Sequence, residues 1–130
     1  MNRIRRIATV AGLAGALAVL APTAAHADPI GWGGTLTPGQ TKCLTRTAGN
    51  DVHQVRVEGT ATGQGARFRF LRDRTVLEAT STDTVGGFAA ERRTSLGNYP
   101  SPGVYEICAA NHRSTNTLVN IRVLFNNEFV

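Results

Sequence analysis

Residues 66–74 read ARFRFLRDR, four arginines in nine positions. Arginine's planar fork meets a carboxylate or phosphate in two-point contact. Arg67 and Arg69 alternate with Phe68 and Phe70, and Arg72 and Arg74 flank Asp73. Successive side chains of a strand leave opposite faces, so burying the phenylalanines turns Arg67 and Arg69 outward. Arg72 and Arg74 then sit at the tip of the following turn. The four make a candidate anion-binding stripe for wall polymers or acidic polysaccharide. The plainer reading is a solvated strand face that also discourages edge-to-edge aggregation. Asp73, Glu58, Glu78 and Glu91 are the carboxylates able to neutralise it.

Trp32 and Tyr99 are the aromatics with polar edges that fall outside the predicted strands. As an exposed pair they are candidate contacts for sugar rings; otherwise Trp32 pins the N-terminal arm to the body, and Tyr105 packs within a strand. The two cysteines, Cys43 and Cys108, have no CxxC spacing and no neighbouring histidine cluster, so a disulfide is expected rather than a nucleophile or metal ligand. The bridge closes a loop of about 65 residues and stabilises by roughly 4 kcal/mol in the chain-entropy treatment. Asp51 and His53 form a candidate dyad, with Ser81, Ser95, Ser101 or Ser114 as nucleophile. No GxSxG elbow, HExxH helix or phosphate loop accompanies them, so no enzyme activity and no catalytic residue is expected. His53, His112 and two oxidised cysteines make no zinc set. A calcium near Asp51 or Asp83 lacks the dense Asp/Asn pattern of a loop site. Neither metal nor cofactor is expected.

The elements that must position these residues are strands. Alternation of period two recurs between turn signals, and no window carries a helical period. The expected strands are 33–37, 41–47, 52–60, 66–72, 75–80, 88–94, 104–111 and 117–125. In the third, Val55 and Val57 face inward and Gln54, Arg56 and Glu58 outward. FAAERR at 88–93 also suits a helical turn, and the last two strands are expected to close the chain as a hairpin. About seven or eight short strands with regular turns indicate an all-β fold, a single antiparallel β-sandwich of jelly-roll or immunoglobulin-like type, with one disulfide. The specific immunoglobulin pattern fails: Tyr105 lies three residues before Cys108, and no Trp separates the cysteines.

GGTLTPGQTKCLTRTAG at 33–49, with SPGVYEICAAN at 101–111 and TLVNIRVLF at 117–125, resembles the bacterial pre-peptidase C-terminal domains and related jelly rolls. In that family a G-x-L-x-P-G-Q opening leads into the first core strand and a P-G-x-Y segment lies near the end. The resemblance spans most of 33–125 and implies a β-sandwich appended to secreted enzymes. No catalytic domain is expected beside it here.

Residues 1–27 are expected to be a cleaved signal peptide: Arg3, Arg5 and Arg6, an apolar run from Ile7 to Ala21, and Ala25-His26-Ala27 before Asp28. The run is about fifteen residues, short of the roughly twenty of a membrane span. General secretion fits better than the twin-arginine route, and no Cys at the cut marks a lipid anchor. The chain has 14 basic and 9 acidic residues, net +5, but the leader holds three of the arginines and no acid. Residues 28–130 therefore carry 11 against 9, net +2. Charge thus gives little support to nucleic acid or membrane as a partner. The expected product is a β-sandwich domain over 28–130, secreted free or associated with the wall, a non-catalytic binding module for the cell envelope or an extracellular polysaccharide. The alternative is a secreted inhibitor or interaction factor for an extracellular enzyme, using the loop between Leu96 and Val104.

Overall fold

In the last strand Val119, Ile121, Val123 and Phe125 recur at every second position, and all four are buried. That pattern organises the whole chain in the computed structural model, which describes residues 30–129. The strands are β1 (Ile30–Leu36), β2 (Thr41–Ala48), β3 (Gln54–Ala61), β4 (Arg67–Arg72), β5 (Thr75–Ala79), β6 (Gly87–Arg93), β7 (Gly103–Ala110) and β8 (Thr117–Phe125). They form two four-stranded antiparallel sheets, ordered β1-β8-β3-β6 and β2-β7-β4-β5. This is a β-sandwich of jelly-roll order. The expected signal peptide lies outside the described residues.

The core is the shared inner face of the two sheets. Val55, Val57, Phe68, Phe70, Tyr105, Ile107, Val119 and Val123 are all fully buried. Each such side chain contributes roughly 1.5–3 kcal/mol of burial free energy. Phe68 stacks on Phe88 at 5.8 Å, and a Cβ on Gly59 would lie 2.6 Å from the Phe68 ring, so glycine there makes room for it. Residues 87–93 are a strand and not a helical turn; the turn follows as a 3-10 helix at Thr94–Leu96.

The expected closing hairpin is not formed. β7 and β8 lie in different sheets, and the segment between Ala110 and Thr117 carries the chain across the sandwich. Asn111 explains the crossing. Its buried side chain donates to the Leu36 and Thr115 carbonyls, both at 2.9 Å, and accepts from the Arg113 N–H at 2.9 Å. Its backbone pairs with Gln40 and Gly39 of the β1–β2 turn. Satisfying these groups inside is what a buried polar residue requires.

The β4–β5 hairpin does form. Asp73 and Arg74 have φ of 46° and 70°, the double left-handed geometry of a type I′ turn. The tip is tied to β7: Asp73 N–H donates to the Val104 carbonyl at 2.8 Å, and Val104 N–H to Asp73 Oδ1 at 2.9 Å. The pairing between β4 and β5 shifts between Phe70 and Leu71, leaving Leu77 as the extra residue of a bulge.

Charged side chains point inward at both open sides of the sandwich. On one, Lys42 of β2 lies over the Trp32 ring at 5.1 Å. Nearby, Arg46 pairs with Glu128 at 2.5 and 3.0 Å and covers the Phe125 ring at 4.1 Å. On the other, Arg92 of β6 reaches across to the Glu78 carboxylate at 3.1 Å and the Leu77 carbonyl at 3.2 Å.

Candidate binding faces

Alternation fixes what each outer face displays. On the β1-β8-β3-β6 sheet the outward residues include Gly31 and Gly33, Asn120 and Arg122, Arg56 and Glu58, Glu91 and Arg93. Register sets Glu58 opposite Arg122 and Arg56 opposite Glu91. The result is a ladder of alternating charge across three strands. Arg122 meets Glu58 at 2.7 Å, Glu58 meets Arg56 at 2.7 Å, Arg56 meets Glu91 at 3.6 Å, and Glu91 meets Arg93 at 3.1 Å. Burial pushes the Glu58 carboxyl up, but the hydrogen bonds from Arg56 and Arg122 outweigh it and hold it below the usual glutamate range. Glu58 is thus fixed by hydrogen bonds between two guanidinium groups, whereas Glu91 lies between Arg56 and Arg93 as ion pairs without a hydrogen bond.

Beside this ladder lies a depression of about 530 Å³ lined by Gly31, Gly33, Glu58, Thr60, Asn120 and Arg122, with the backbone around Trp32, Gly59 and Ile121 as its floor. It exists because β1 presents glycines where its neighbours present side chains. A Cβ on Gly31 would meet its nearest atoms at 3.5 Å, ordinary contact, so the position accepts a side chain that fills the space. The volume falls in the range of small-ligand sites.

The four arginines of 66–74 are divided by the fold. Arg67 and Arg69 stand together on the outer face of the other sheet and line one depression with Thr41, Cys108, Ala110 and His112. Arg72 is bound internally. Its Nε donates to the Ser101 carbonyl at 3.1 Å, and its Nη2 to both Ser101 Oγ at 2.6 Å and the Pro102 carbonyl at 2.7 Å. Arg74 lies at the hairpin tip and lines a separate depression with Thr45, Asp73, Val104 and Glu106.

The two candidate aromatics do not act as a pair. Trp32 packs against the core beneath Lys42. Tyr99 stacks on Tyr105 at 6.1 Å, where burial and the neighbouring Tyr105 phenol push its own phenol up to about 12. Tyr105 donates to the Ser101 carbonyl four residues upstream at 2.6 Å. The bond is of the tyrosine-corner kind, although its spacing from Cys108 differs from the immunoglobulin one.

Cys43 and Cys108 are joined as a disulfide and are direct partners in the β2–β7 ladder. The bridge lies on the outer face within one sheet, whereas the immunoglobulin bridge crosses between sheets. Glu106 sits near the sulfurs, but bonded sulfurs are not thiolate ligands. His53 and Ser95 line a common depression with Thr94 and Asn126. Among the described residues no hydrogen bond joins the His53 ring to the Ser95 hydroxyl or the Asp51 carboxylate, so the geometry of a nucleophile and its base is not assembled there.

No protein-family model and no curated protein matches the chain. Among solved structures it is similar to PliG of Aeromonas hydrophila, a periplasmic inhibitor of g-type lysozyme, at 16% identity and TM-score 0.53, over 82% of this chain and 93% of that one. It is also similar to the pre-peptidase C-terminal domain of collagenase from Bacillus anthracis, at 11% identity and TM-score 0.52, over 74% and 89%. The likeness to pre-peptidase C-terminal jelly rolls therefore holds at the level of the fold.

Proposed function

We propose that this chain is an exported, non-catalytic binding module that engages a polyhydroxylated polymer of the cell envelope or extracellular space. In this reading residues 1–27 are removed and 28–130 form the working domain. The Cys43–Cys108 disulfide supports an oxidising compartment. The observation that carries the reading is the glycine-floored depression beside the Arg122–Glu58–Arg56–Glu91–Arg93 ladder. Vicinal hydroxyls need fixed acceptors and donors in alternation, and carboxylates clamped between guanidinium groups supply both without reordering on binding.

Retention on insoluble peptidoglycan and chitin, with heparin as the anionic comparison, tests it across a range of salt. A neutral glycan held by hydrogen bonds is expected to stay bound as salt rises, and Gly31→Val, which fills the floor, is expected to release it while the fold is kept. Equal retention of wild type and Gly31→Val, or no retention on any polymer, would rule the reading out.

A second reading, an inhibitor of an extracellular enzyme, is favoured by the loop from Leu96 to Gly103. Ser101 has φ of 141° and is held by Arg72 and Tyr105, while Leu96 is exposed. Such a pre-ordered loop suits docking into a cleft. Undiminished activity of a panel of secreted proteases and lysozymes in its presence would remove this reading.

A further inference from the structure

Of the arginines carried by the strands, Arg69 alone has no ion pair among the described residues. Arg46, Arg56, Arg67, Arg72, Arg92, Arg93 and Arg122 each have an acidic partner. The side chain of Arg69 is exposed on the outer face of the β2-β7-β4-β5 sheet, on the opposite side of the molecule from the polymer face. Its register partner is Cys108, and that of Arg67 is Ala110. These small neighbours leave both guanidinium groups standing over a depression of about 280 Å³ that also takes in Thr41 and His112. The lining contains no acid. Glu106, two positions from Cys108 on the same face, belongs to the neighbouring depression.

A carboxylate of the chain's own already rests against this cluster. Asp83 Oδ1 accepts from Arg67 at 3.0 Å and lies 3.1 Å from His112 Nδ1. The His112 hydrogen bond, with Arg67 adding to it, holds the Asp83 carboxyl below the usual range. Asp83 thus occupies one side of the cluster and orients Arg67 and His112, while Arg69 remains open.

We infer that Arg69, with Arg67, His112 and Thr41, forms a second binding site, for an oxyanion such as a phosphate or carboxylate group. The volume sits just below the roughly 300 Å³ at which small-molecule sites begin, so the site takes a charged group or one unit of a chain and not an extended ligand. Arg67 and Arg69 supply the two-point donors and the Thr41 hydroxyl a neutral one.

Titration with inorganic phosphate, followed by NMR of the arginine Nε–Hε groups, tests the site. Saturable shifts are expected at Arg69 Nε–Hε and at the Cys108 and Ala110 amides. Arg69→Gln is expected to weaken binding by about fivefold, the upper end for an exposed ion pair. Asp83→Asn releases Arg67 and His112 and is expected to tighten it, whereas Arg74→Gln, outside the depression, leaves the curve unchanged. If Asp83→Asn loosens its loop, the Arg69→Gln comparison still decides. Shifts that do not saturate, or that Arg69→Gln leaves unaltered, overturn the inference. A phosphate-bearing polymer compared at equal phosphate concentration separates the sources: tighter binding of the polymer assigns the site to a polymer-borne group, equal binding to a free anion.

Discussion

Replacing Asn111 by alanine tests the argument that one buried amide holds the crossing between the sheets. The side chain is fully buried and makes three hydrogen bonds, to the Leu36 and Thr115 carbonyls and from the Arg113 N–H. Each is worth about 1 kcal/mol net, and a carbonyl left unpaired in a buried site costs 1–3 kcal/mol. Leu36 is itself buried, so its carbonyl is the least able to find water. The expected loss is therefore about 3 kcal/mol, a large share of the roughly 5–15 kcal/mol of a small domain, and a fall in Tm on the order of 15 °C. Urea unfolding with the disulfide intact measures it. Asn111→Asp adds a sign. A carboxylate facing two carbonyls keeps its proton when folded, so its folded pKa rises above the unfolded value of about 3.9. That variant is most stable in acid and loses stability as pH climbs from the unfolded pKa to the folded one. A loss under about 1 kcal/mol for Asn111→Ala, or a pH-independent deficit for Asn111→Asp, would refute the reasoning.

Three further outcomes follow from the same geometry. Arg74→Gly relieves a non-glycine residue at φ 70° in the type I′ turn and is expected to stabilise by about 0.5–1 kcal/mol in urea melts, with a loss of stability counting against the turn assignment. Reduction of Cys43–Cys108, which are separated by 65 residues, is expected to cost up to about 4 kcal/mol, read as the difference between melts with and without reductant. Glu58, whose folded carboxyl lies below its ordinary range, contributes stability above the unfolded pKa and loses it as pH falls through the folded one. Wild type is accordingly expected to exceed Glu58→Gln near neutrality, with the gap closing below about pH 4.

What could be read from the sequence was what alternation encodes. The bounds of β8 follow from V-x-I-x-V-x-F, and β2 and β4 from their flanking turns, because a half-buried strand writes its own period into the chain. Which strand faces which was not legible. The expected closing hairpin rested on two alternating runs with polar residues between them. The buried amide that carries the chain across looks, in sequence, like any loop Asn. The charge ladder was equally hidden, since Glu58 meets Arg122 only through the β3–β8 register. The arginine stripe was visible as composition, but its division was not. Arg72 is turned inward by carbonyls some thirty residues away, and Arg69 keeps its freedom because Cys108 and Ala110 are small.

Where ligands can bind is constrained by how the sandwich protects its sides. An antiparallel sheet offers its two edge strands to any extended peptide, and β2, eight residues long, is the longer edge of its sheet. Yet Lys42 and Arg46 flank Leu44 on its inner side and are engaged by Trp32, Phe125 and Glu128. An incoming strand that drew β2 outward would pull the Arg46–Glu128 pair, with side chains only 13% and 10% exposed, away from its partners. Uncoupling a buried pair in this way costs several kcal/mol. The opposite side is guarded by Arg92, which occupies the carbonyl freed by the β5 bulge. Inward-pointing charges on edge strands discourage strand addition, and here they are held at both sides by partners within the fold. The ladder on the β1-β8-β3-β6 face carries no such penalty, because its ion pairs lie within one sheet and stay intact when a ligand settles on top. On the proposed polymer-binding reading, recognition belongs on the faces, where the glycine floor and the open Arg69 lie.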